Sequence, residues 1–178
     1  MSSGEMMPAR KHSRLKNHSY SKSGYYHVVI CVKDRRPILS NIKCVSYDSE
    51  HGKRHVLNIE LTKIGQVVEE NIKRIDAMYE NTKIDTYVIM PDHVHMIVKL
   101  LPVNEEHISS DIFTIVRSFK RFCYKKIEKS IWQNSFYDHI IRNSTDLSET
   151  RKYIKGNPAR WYYKNHPCIQ NVIDSERI

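Results

Sequence analysis

Two histidines separated by one residue, His93 and His95, are the first candidates for chemistry in this sequence. They lie in an apolar segment directly after a Pro-Asp turn. Successive side chains of a β-strand point to opposite faces, so both imidazoles would project from one face while Val94 and Met96 face the core. Two imidazoles on one face can share a metal ion. Two unrelated surface histidines are the alternative, but paired polar rings in an apolar strand call for a reason.

Tyr153 and Asn157 form a second candidate pair, because residues four apart lie on the same face of a helix. The phenol of Tyr153 is a competent nucleophile toward phosphate, and the amide oxygen of Asn157 is a hard ligand suited to Mg²⁺ or Mn²⁺. The alternatives are that Tyr153 only packs and that Asn157 only ends a helix before Pro158. Glu149, one turn before Tyr153, lies on the same face, either as a supporting residue of the site or as a salt-bridge partner.

The elements that must position these residues begin with strands. Five segments are rich in β-branched and aromatic residues and predict strands: 25–32, 44–47, 55–61, 85–90 and 94–100. Turn-forming residues at 48–53 pair the second segment with the third, and Pro91-Asp92 pairs the fourth with the fifth. The two histidines therefore lie at the start of the second strand of a tight hairpin.

Two segments have helical periodicity before the C-terminal region. The first begins at the N-cap Thr62 and continues to about Asn81, with these apolar residues at helical spacing: Ile64, Val67, Val68, Ile72, Ile75 and Met78. The second is capped by Ser109 or Ser110. Its inward residues are Ile112, Ile115, Val116, Phe119, Phe122 and Cys123. Both helices are therefore amphipathic and are expected to cover a sheet.

A third helix carries the tyrosine. It begins near residues 144–146 and stops around Asn157-Pro158, because the residue before a proline is disfavoured in the α conformation. Strands and helices in this order predict an α+β sandwich, with helices packed on a mostly antiparallel sheet.

The composition is that of one globular domain: 178 residues, 40% hydrophobic and 28% charged. No window approaches the roughly 20 apolar residues of a membrane helix, and the start has no apolar secretory segment. We therefore expect a cytoplasmic protein with no membrane contact. The four cysteines form no Cys-x-x-Cys pair, which argues against a zinc ribbon or a disulfide framework. Residues 1–22 are basic and lack periodicity, so they predict a flexible basic arm before a single domain at 23–178.

The formal charge is +9, and its cations concentrate in segments 1–24, 117–129 and 151–164. A basic footprint of this kind suits binding to a phosphate backbone, although each run also fits a solvated helix face. The residues that would follow such a backbone are Arg117, Lys120, Arg121, Lys125, Arg160 and Lys164. Trp161 and the two tyrosines after it would stack on unpaired bases or pack on the core.

Four blocks of this sequence, in the same order, resemble the signature blocks of the HUH tyrosine transposases. They are Tyr-Val-Ile-Met-Pro-Asp-His-Val-His at 87–95, Ile-Val-Arg-Ser-Phe-Lys at 115–120, Trp-Gln-Asn-Ser-Phe-Tyr-Asp-His-Ile-Ile-Arg at 132–142 and Tyr-Ile-Lys-Gly-Asn-Pro at 153–158. The nearest branch is the REP-associated tyrosine transposases, which resemble the single-strand transposases of small insertion sequences. His-x-His alone is unspecific, whereas four ordered blocks are specific.

The resemblance implies a role for each candidate. His93 and His95 would bind a divalent metal, Mg²⁺ or Mn²⁺, and Asn157 would supply the third ligand. Tyr153 would be the single nucleophile. Insertion-sequence relatives usually have Gln at the third-ligand position, so Asn157 favours the REP-associated branch. His139 also matches a family position, for which a hydrogen bond or a DNA contact is favoured over metal ligation.

The resemblance also implies the fold and the reaction. The fold would be a ferredoxin-like or RRM-like sandwich with the nucleophile on a C-terminal helix. The reaction would be metal-dependent cleavage and strand transfer of single-stranded DNA near hairpins, through a 5′-phosphotyrosine intermediate. Because that intermediate keeps the phosphoester energy, no ATP is needed, and the sequence has no GxxxxGK loop. Insertion-sequence relatives are dimers and REP-associated relatives can act as monomers, so a homodimer stays open.

Two other functions fit the same residues. A catalytically silent regulator would bind single-stranded or hairpin DNA without cleaving it. A zinc hydrolase would use His93, His95 and His139, since imidazoles suit Zn²⁺, and its activity would survive the substitution Tyr153→Phe.

Overall fold

The computed structural model describes residues 20–49, 52–102 and 110–166. Their elements in chain order are β1 (Gly24–Cys31), a 3-10 turn (Lys33–Arg35), β2 (Ser40–Ser49), β3 (Gly52–Leu61), α1 (Lys63–Lys73), α2 (Ile75–Met78), β4 (Thr82–Ile89), β5 (His93–Leu100), α3 (Ile112–Ile127), β6 (Tyr137–Ile141) and α4 (Ser144–Asn165). Most of the predicted basic arm, residues 1–19, lies outside the described residues. Its described end is packed, since the Tyr20 ring lies 4.8 Å from that of Phe113.

Four strands form one sheet in the order β4-β5-β1-β6, and all neighbours are antiparallel. Helix α1 lies between β1 and β4 in the chain, and α3 lies between β5 and β6. This order of strands and helices is that of a ferredoxin-like sandwich, which confirms the predicted fold class. Strands β2 and β3 form a separate hairpin inserted between β1 and α1, as the turn at 48–53 predicted. No helix within the described ranges is long and apolar enough to cross a membrane.

The two faces of the sheet have different partners. One face packs against α1 and α3 in the main core, to which β5 contributes Val94 and Met96. The opposite face is partly covered by α4, where Ile154 packs with Ile97 and Ile141. His93 and His95 project from this second face because of strand alternation.

The first predicted helix begins as expected but ends early. The Thr62 side chain caps it by accepting a hydrogen bond from the Gly65 N–H at 3.1 Å. The helix breaks after Lys73, and α2 ends at Met78 rather than near Asn81. The reason is tertiary: the carbonyl of Asn81 accepts from the Leu101 N–H at 2.7 Å, which draws the chain into β4.

Helix α3 is capped by neither predicted serine. Its N-cap is Asp111, whose carboxylate accepts from the Thr114 N–H at 2.6 Å. Five of the six predicted inward residues are buried, and Phe122 is half-buried.

Two features of the C-terminal region differ from the prediction. Strand β6 was not anticipated, and it completes the sheet beside β1. Helix α4 does not stop at Pro158 but continues to Asn165. A proline inside a helix costs about 3 kcal/mol, and the turns that follow it offset this cost by burying Tyr162 against Ile42 and Met90.

Candidate active site

The two histidines of β5 are buried and face each other at the sheet surface. The Nε2 atoms of His93 and His95 lie 2.9 Å apart. Both side chains project from the sheet face that α4 covers, and neither belongs to the main core on the opposite face. The pair therefore forms a polar centre between the sheet and α4.

The orientation of His93 is set by the residue before it. The Asp92 carboxylate accepts a hydrogen bond from Nδ1–H of His93, and Asp92 is itself held by Arg35, with Nε 2.9 Å from Oδ2. With its proton on Nδ1, neutral His93 presents an unprotonated Nε2 toward His95. A carboxylate on the far nitrogen is the usual support of a metal-binding histidine.

The orientation of His95 is set by a residue from β1. Nε2 of His27 lies 3.0 Å from Nδ1 of His95, and the rings stack with centroids 5.2 Å apart. Burial, reinforced by the neighbouring His93, His27 and Arg35, lowers the pKa of His95 to about 2. Burial and the neighbouring His139 lower the pKa of His27 to about 4. Both rings are therefore neutral near pH 7.

Helix α4 brings the second candidate pair to this centre. The Tyr153 ring stands at 86° to the His95 ring with centroids 5.6 Å apart, and 40% of Tyr153 is exposed. Asn157 is buried one turn later, with Nδ2 3.2 Å from Nε2 of His95. All four residues predicted from their spacing thus lie together within one chain.

An N-cap fixes where α4 begins, and two further contacts hold the helix against the sheet. Its N-cap, Asn143, accepts from the Asp146 N–H at 2.9 Å. Ile154 packs on the sheet. Arg151 forms a two-point ion pair with Asp85 on β4.

The donor atoms at this centre fit a divalent cation. When His95 donates its Nδ1–H to His27, the unprotonated Nε2 atoms of both site histidines face each other, an arrangement that repels unless a cation or a proton lies between them. Adjacent ligands of an octahedral ion with bonds of about 2.1 Å are about 3 Å apart. The Asn157 amide can turn either its oxygen or its nitrogen to the same point. Among the described residues, no three His, Cys, Asp or Glu side chains converge on a metal site. The candidate ligand set is therefore two imidazoles, from His93 and His95, and one amide, from Asn157.

Comparisons with known proteins identify the family. Residues 20–157 match the family model described as "Transposase IS200 like". The chain belongs to the IS200-like transposase family. The predicted resemblance is thereby confirmed.

Relatives of this IS200-like transposase include proteins from two bacteria. It is 35% identical over 92 residues to a REP-associated tyrosine transposase of Escherichia coli K12. The aligned region covers 52% of this chain and 50% of the relative. It is 27% identical to an uncharacterized protein of Haemophilus influenzae Rd, over 85% of this chain and 89% of the relative. A solved REP-associated tyrosine transposase bound to a REP hairpin has a TM-score of 0.59 at 22% identity, over 84% of this chain and 74% of that chain. This last likeness supports the fold.

Three other residues predicted for the site, Arg160, His139 and Glu149, lie around Tyr153. The Arg160 guanidinium lies over the Tyr153 ring, 4.9 Å from its centroid. His139 does not join His93 and His95, because its Nε2 bonds to Asp146 at 3.1 Å. Glu149 is exposed and lines the same cleft as Tyr153. It forms no ion pair with a described residue, so the salt-bridge alternative has no partner there.

The predicted DNA-binding residues of α3 lie on the other side of the sheet from Tyr153. Arg117, Arg121 and Lys125 are exposed there. Lys120 differs, since its Nζ donates to the carbonyls of Gln133 at 2.7 Å, Asn134 at 3.3 Å and Ser135 at 3.0 Å. Burial lowers the pKa of Lys120 to about 8. Trp161 is half-buried against Ile42, Met90 and Tyr162, a group that we call the hairpin cluster and that also includes Tyr163. The packing alternative for Trp161 predicted such a contact.

Sequence reasoning missed several residues that support the centre: His27, Arg35, Asp85, Asp92 and Arg151. The argument applied to His93, that a polar ring in an apolar strand needs a reason, holds equally for His27. Asp92 directly precedes His93 and was interpreted only as a turn residue. The ion pair of Arg151 joins residues 66 positions apart, and no local pattern indicates it.

Proposed function

We propose that this IS200-like transposase cleaves and transfers single-stranded DNA beside hairpins, with Tyr153 as nucleophile and Mg²⁺ or Mn²⁺ held by His93, His95 and Asn157. One observation carries the proposal. The nucleophile and the third donor lie one turn apart on α4, and both contact the same histidine, at 5.6 Å between ring centroids and 3.2 Å between nitrogens. A helix that only packed on the sheet would not need to bring a phenol and a buried amide to paired imidazoles.

The chain's own residues divide the work of the first step. Asp92 and His27 hold the site histidines in the form that presents unprotonated Nε2 atoms. A metal ion held by His93, His95 and Asn157 would supply positive charge to offset the negative charge that develops on the scissile phosphate. The exposed Tyr153 hydroxyl gives its proton to water, and its oxygen attacks phosphorus. Arg160, beside the Tyr153 ring, is available to bind a nonbridging phosphate oxygen.

The bond changes of this step are balanced. A bond forms between the Tyr153 oxygen and phosphorus, and the bond from phosphorus to the 3′ oxygen breaks. The 3′ oxygen takes up a proton from water and leaves as a free 3′-OH, while the DNA 5′ end remains as a phosphotyrosine. Attack by a second 3′-OH reverses the step at a new junction, which transfers the strand without another energy source.

The substrate class is proposed from charge and from relatives. The chain carries 29 Lys and Arg against 20 Asp and Glu, as expected for a protein that contacts phosphates. A structural relative is bound to a REP hairpin. We therefore propose hairpin DNA with a single-stranded flank as the partner. The oligomeric state stays a prediction.

The first experiment detects the covalent intermediate. Labelled hairpins with single-stranded flanks, taken from the DNA on both sides of the gene, are incubated with the protein in Mn²⁺, Mg²⁺ or EDTA and run on a denaturing gel. We expect a metal-dependent protein-DNA band that Tyr153→Phe abolishes without loss of hairpin binding. Tyr163→Phe, on the same helix but in the hairpin cluster, is the matched control and should retain the band.

The same experiment tests the alternatives. Hairpin binding without a covalent band from any flank would favour the catalytically silent regulator. Cleavage that survives Tyr153→Phe would overturn the proposal in favour of a hydrolase. The zinc hydrolase with three histidines is disfavoured, because His139 bonds to Asp146 and no three His, Cys, Asp or Glu side chains among the described residues form a metal site.

A further inference from the structure

An open cleft of about 470 Å³ lies beside Tyr153, between β1, β6 and the first half of α4. Three of its lining residues, His27, His95 and Tyr153, belong to the centre already described. The other lining residues have no role in the proposed cleavage step: Val29, Tyr137, His139, Asp146, Glu149 and Thr150.

The α4 side of this cleft carries two carboxylates that can accept hydrogen bonds, Asp146 and Glu149. Asp146 accepts from His139 and from the Arg142 N–H. These bonds outweigh the effect of burial and hold the pKa of the Asp146 carboxyl below its ordinary value. Glu149 is exposed and makes no hydrogen bond or ion pair with any described residue. Two carboxylates would repel a phosphate, so the α4 side of the cleft suits a group that donates N–H rather than the DNA backbone.

The cleft also offers a surface for stacking. Tyr137 is 51% exposed and lies opposite Val29 on the neighbouring strand. An exposed aromatic ring beside an apolar floor is the usual platform for an unpaired base. Acceptors at the edge of such a platform would accept a hydrogen bond from the exocyclic amino group of a base, as carboxylates do from the N4 amine of cytosine.

The distance to the nucleophile limits which base this is. Glu149 lies one helical turn before Tyr153, and side chains so spaced are about 6 Å apart at Cβ. A phosphate attacked by Tyr153 therefore brings only its own two neighbouring nucleotides within reach of the cleft.

We propose that the cleft binds the unpaired base on one side of the scissile phosphate and selects a base with an exocyclic amino group, with Glu149 as the specificity-determining residue. This inference rests on the proposed function, because it defines the base by its distance from the cleaved phosphate. Thymine, which has no exocyclic amine, is disfavoured.

The test replaces one amino group at a time. Once the cleaved junction is mapped, each flanking base is replaced by its analogue without the amine: purine for adenine, 2-pyrimidinone for cytosine, inosine for guanine. At one of the two positions we expect the analogue to slow covalent-band formation about 10-fold or more, the range of one hydrogen bond to a charged group. Glu149→Ala should slow the natural DNA by a similar factor and lose its sensitivity to the analogue. Glu80→Ala, an exposed carboxylate outside the cleft, should behave as wild type.

Two outcomes overturn the inference. In the first, wild type cleaves DNA with either analogue as fast as DNA with the natural bases. In the second, Glu149→Ala is slowed by the analogue as much as wild type is. A parallel arm measures the affinity of Tyr153→Phe for hairpins with analogues placed singly along the flank. Equal affinity at every position also overturns it. A wild-type protein that forms no covalent band but loses affinity for one analogue would instead refute the proposed cleavage and leave the base site standing. Thermal unfolding checks that each variant is folded.

Discussion

The guanidinium of Arg151 on α4 forms an ion pair with the carboxylate of Asp85 on β4, with Nε 2.9 Å from Oδ2. Asp85 is the unpaired residue at a register irregularity between Ile84 and Thr86, and such an irregularity can re-aim a side chain. Because Arg151 lies two residues before Tyr153, the ion pair holds the proposed nucleophile against the sheet that carries the histidines of the same chain.

The substitution Arg151→Met tests this tether. The pair is partly exposed and screened by solvent, so we expect the free energy of unfolding to change little. The rate of covalent-band formation should fall about 10-fold, because small misplacements of a nucleophile are costly. Exchanging the charges with Asp85→Arg and Arg151→Asp together should restore part of the rate. Lys152→Met, an exposed neighbour, serves as control, and an unaltered rate in Arg151→Met would show that the tether is dispensable.

Replacement of Arg160 probes the charge beside the nucleophile. Since its guanidinium lies 4.9 Å from the Tyr153 ring, we expect Arg160→Ala to slow covalent-band formation about 10- to 100-fold. Hairpin affinity, measured by fluorescence anisotropy, should change far less. Arg160→Lys should recover only part of the rate, since lysine lacks the planar fork. If Arg160→Ala lowered hairpin affinity and cleavage rate by the same factor, Arg160 would be a general DNA contact. Lys164→Ala, at a second predicted backbone contact on α4, is measured for comparison.

Replacement of Asp92 probes the support of His93. Asp92→Asn removes the carboxylate that accepts Nδ1–H, so we expect Mn²⁺ affinity measured by calorimetry to fall about 10- to 100-fold. The neighbouring exposed Asp34→Asn should leave affinity unaltered. The thermal midpoint in EDTA shows whether the variant is folded, and a folded Asp92→Asn with wild-type affinity would contradict the proposed support.

The buried histidines predict an acid-sensitive fold. Burial lowers the pKa of His27 and His95 from 6.5 to about 4 and about 2. Between these values and 6.5 the unfolded chain binds protons that the folded chain does not, so stability is full above pH 6.5 and falls as the pH drops. The slope is up to about 1.4 kcal/mol per pH unit for each histidine. Urea unfolding in EDTA at pH 7, 6 and 5 measures it.

The variant His27→Gln should give a shallower slope in the same urea series, because one of the two buried rings is removed. Parallel pH profiles for wild type and His27→Gln would refute the assignment of the slope to these buried rings.

Lys120 and Arg121 are adjacent on α3 but should behave differently. Lys120→Met removes the donor to three carbonyls of the loop before β6, so we expect the free energy of unfolding to fall about 1–3 kcal/mol. Arg121→Ala should leave stability within about 0.5 kcal/mol. If Arg121 contacts phosphate, its loss should lower hairpin affinity and reduce the salt dependence by about one counterion. Denaturant titration and anisotropy at several salt concentrations separate the two effects, and equal destabilisation by both would contradict the distinction.

The local rules that set the site were present in the sequence. Alternation along a strand placed His93 and His95 on one face and Val94 in the core. Helical spacing placed Tyr153 and Asn157 on one face of α4. These relations depend only on the φ and ψ angles of a short segment, so no knowledge of the rest of the chain was needed to predict them.

Tertiary structure decided which faces meet. The sheet order puts β1 beside β5, which brings His27 to His95 across 68 positions, and it puts α3 and its cations on the side away from Tyr153. Burial of Tyr162 carried α4 past Pro158, against the local preference of the residue before proline. Strand order and helix docking are determined by the free energy of burying whole apolar faces, a sum over distant segments, whereas spacing within one element reflects only its own backbone geometry.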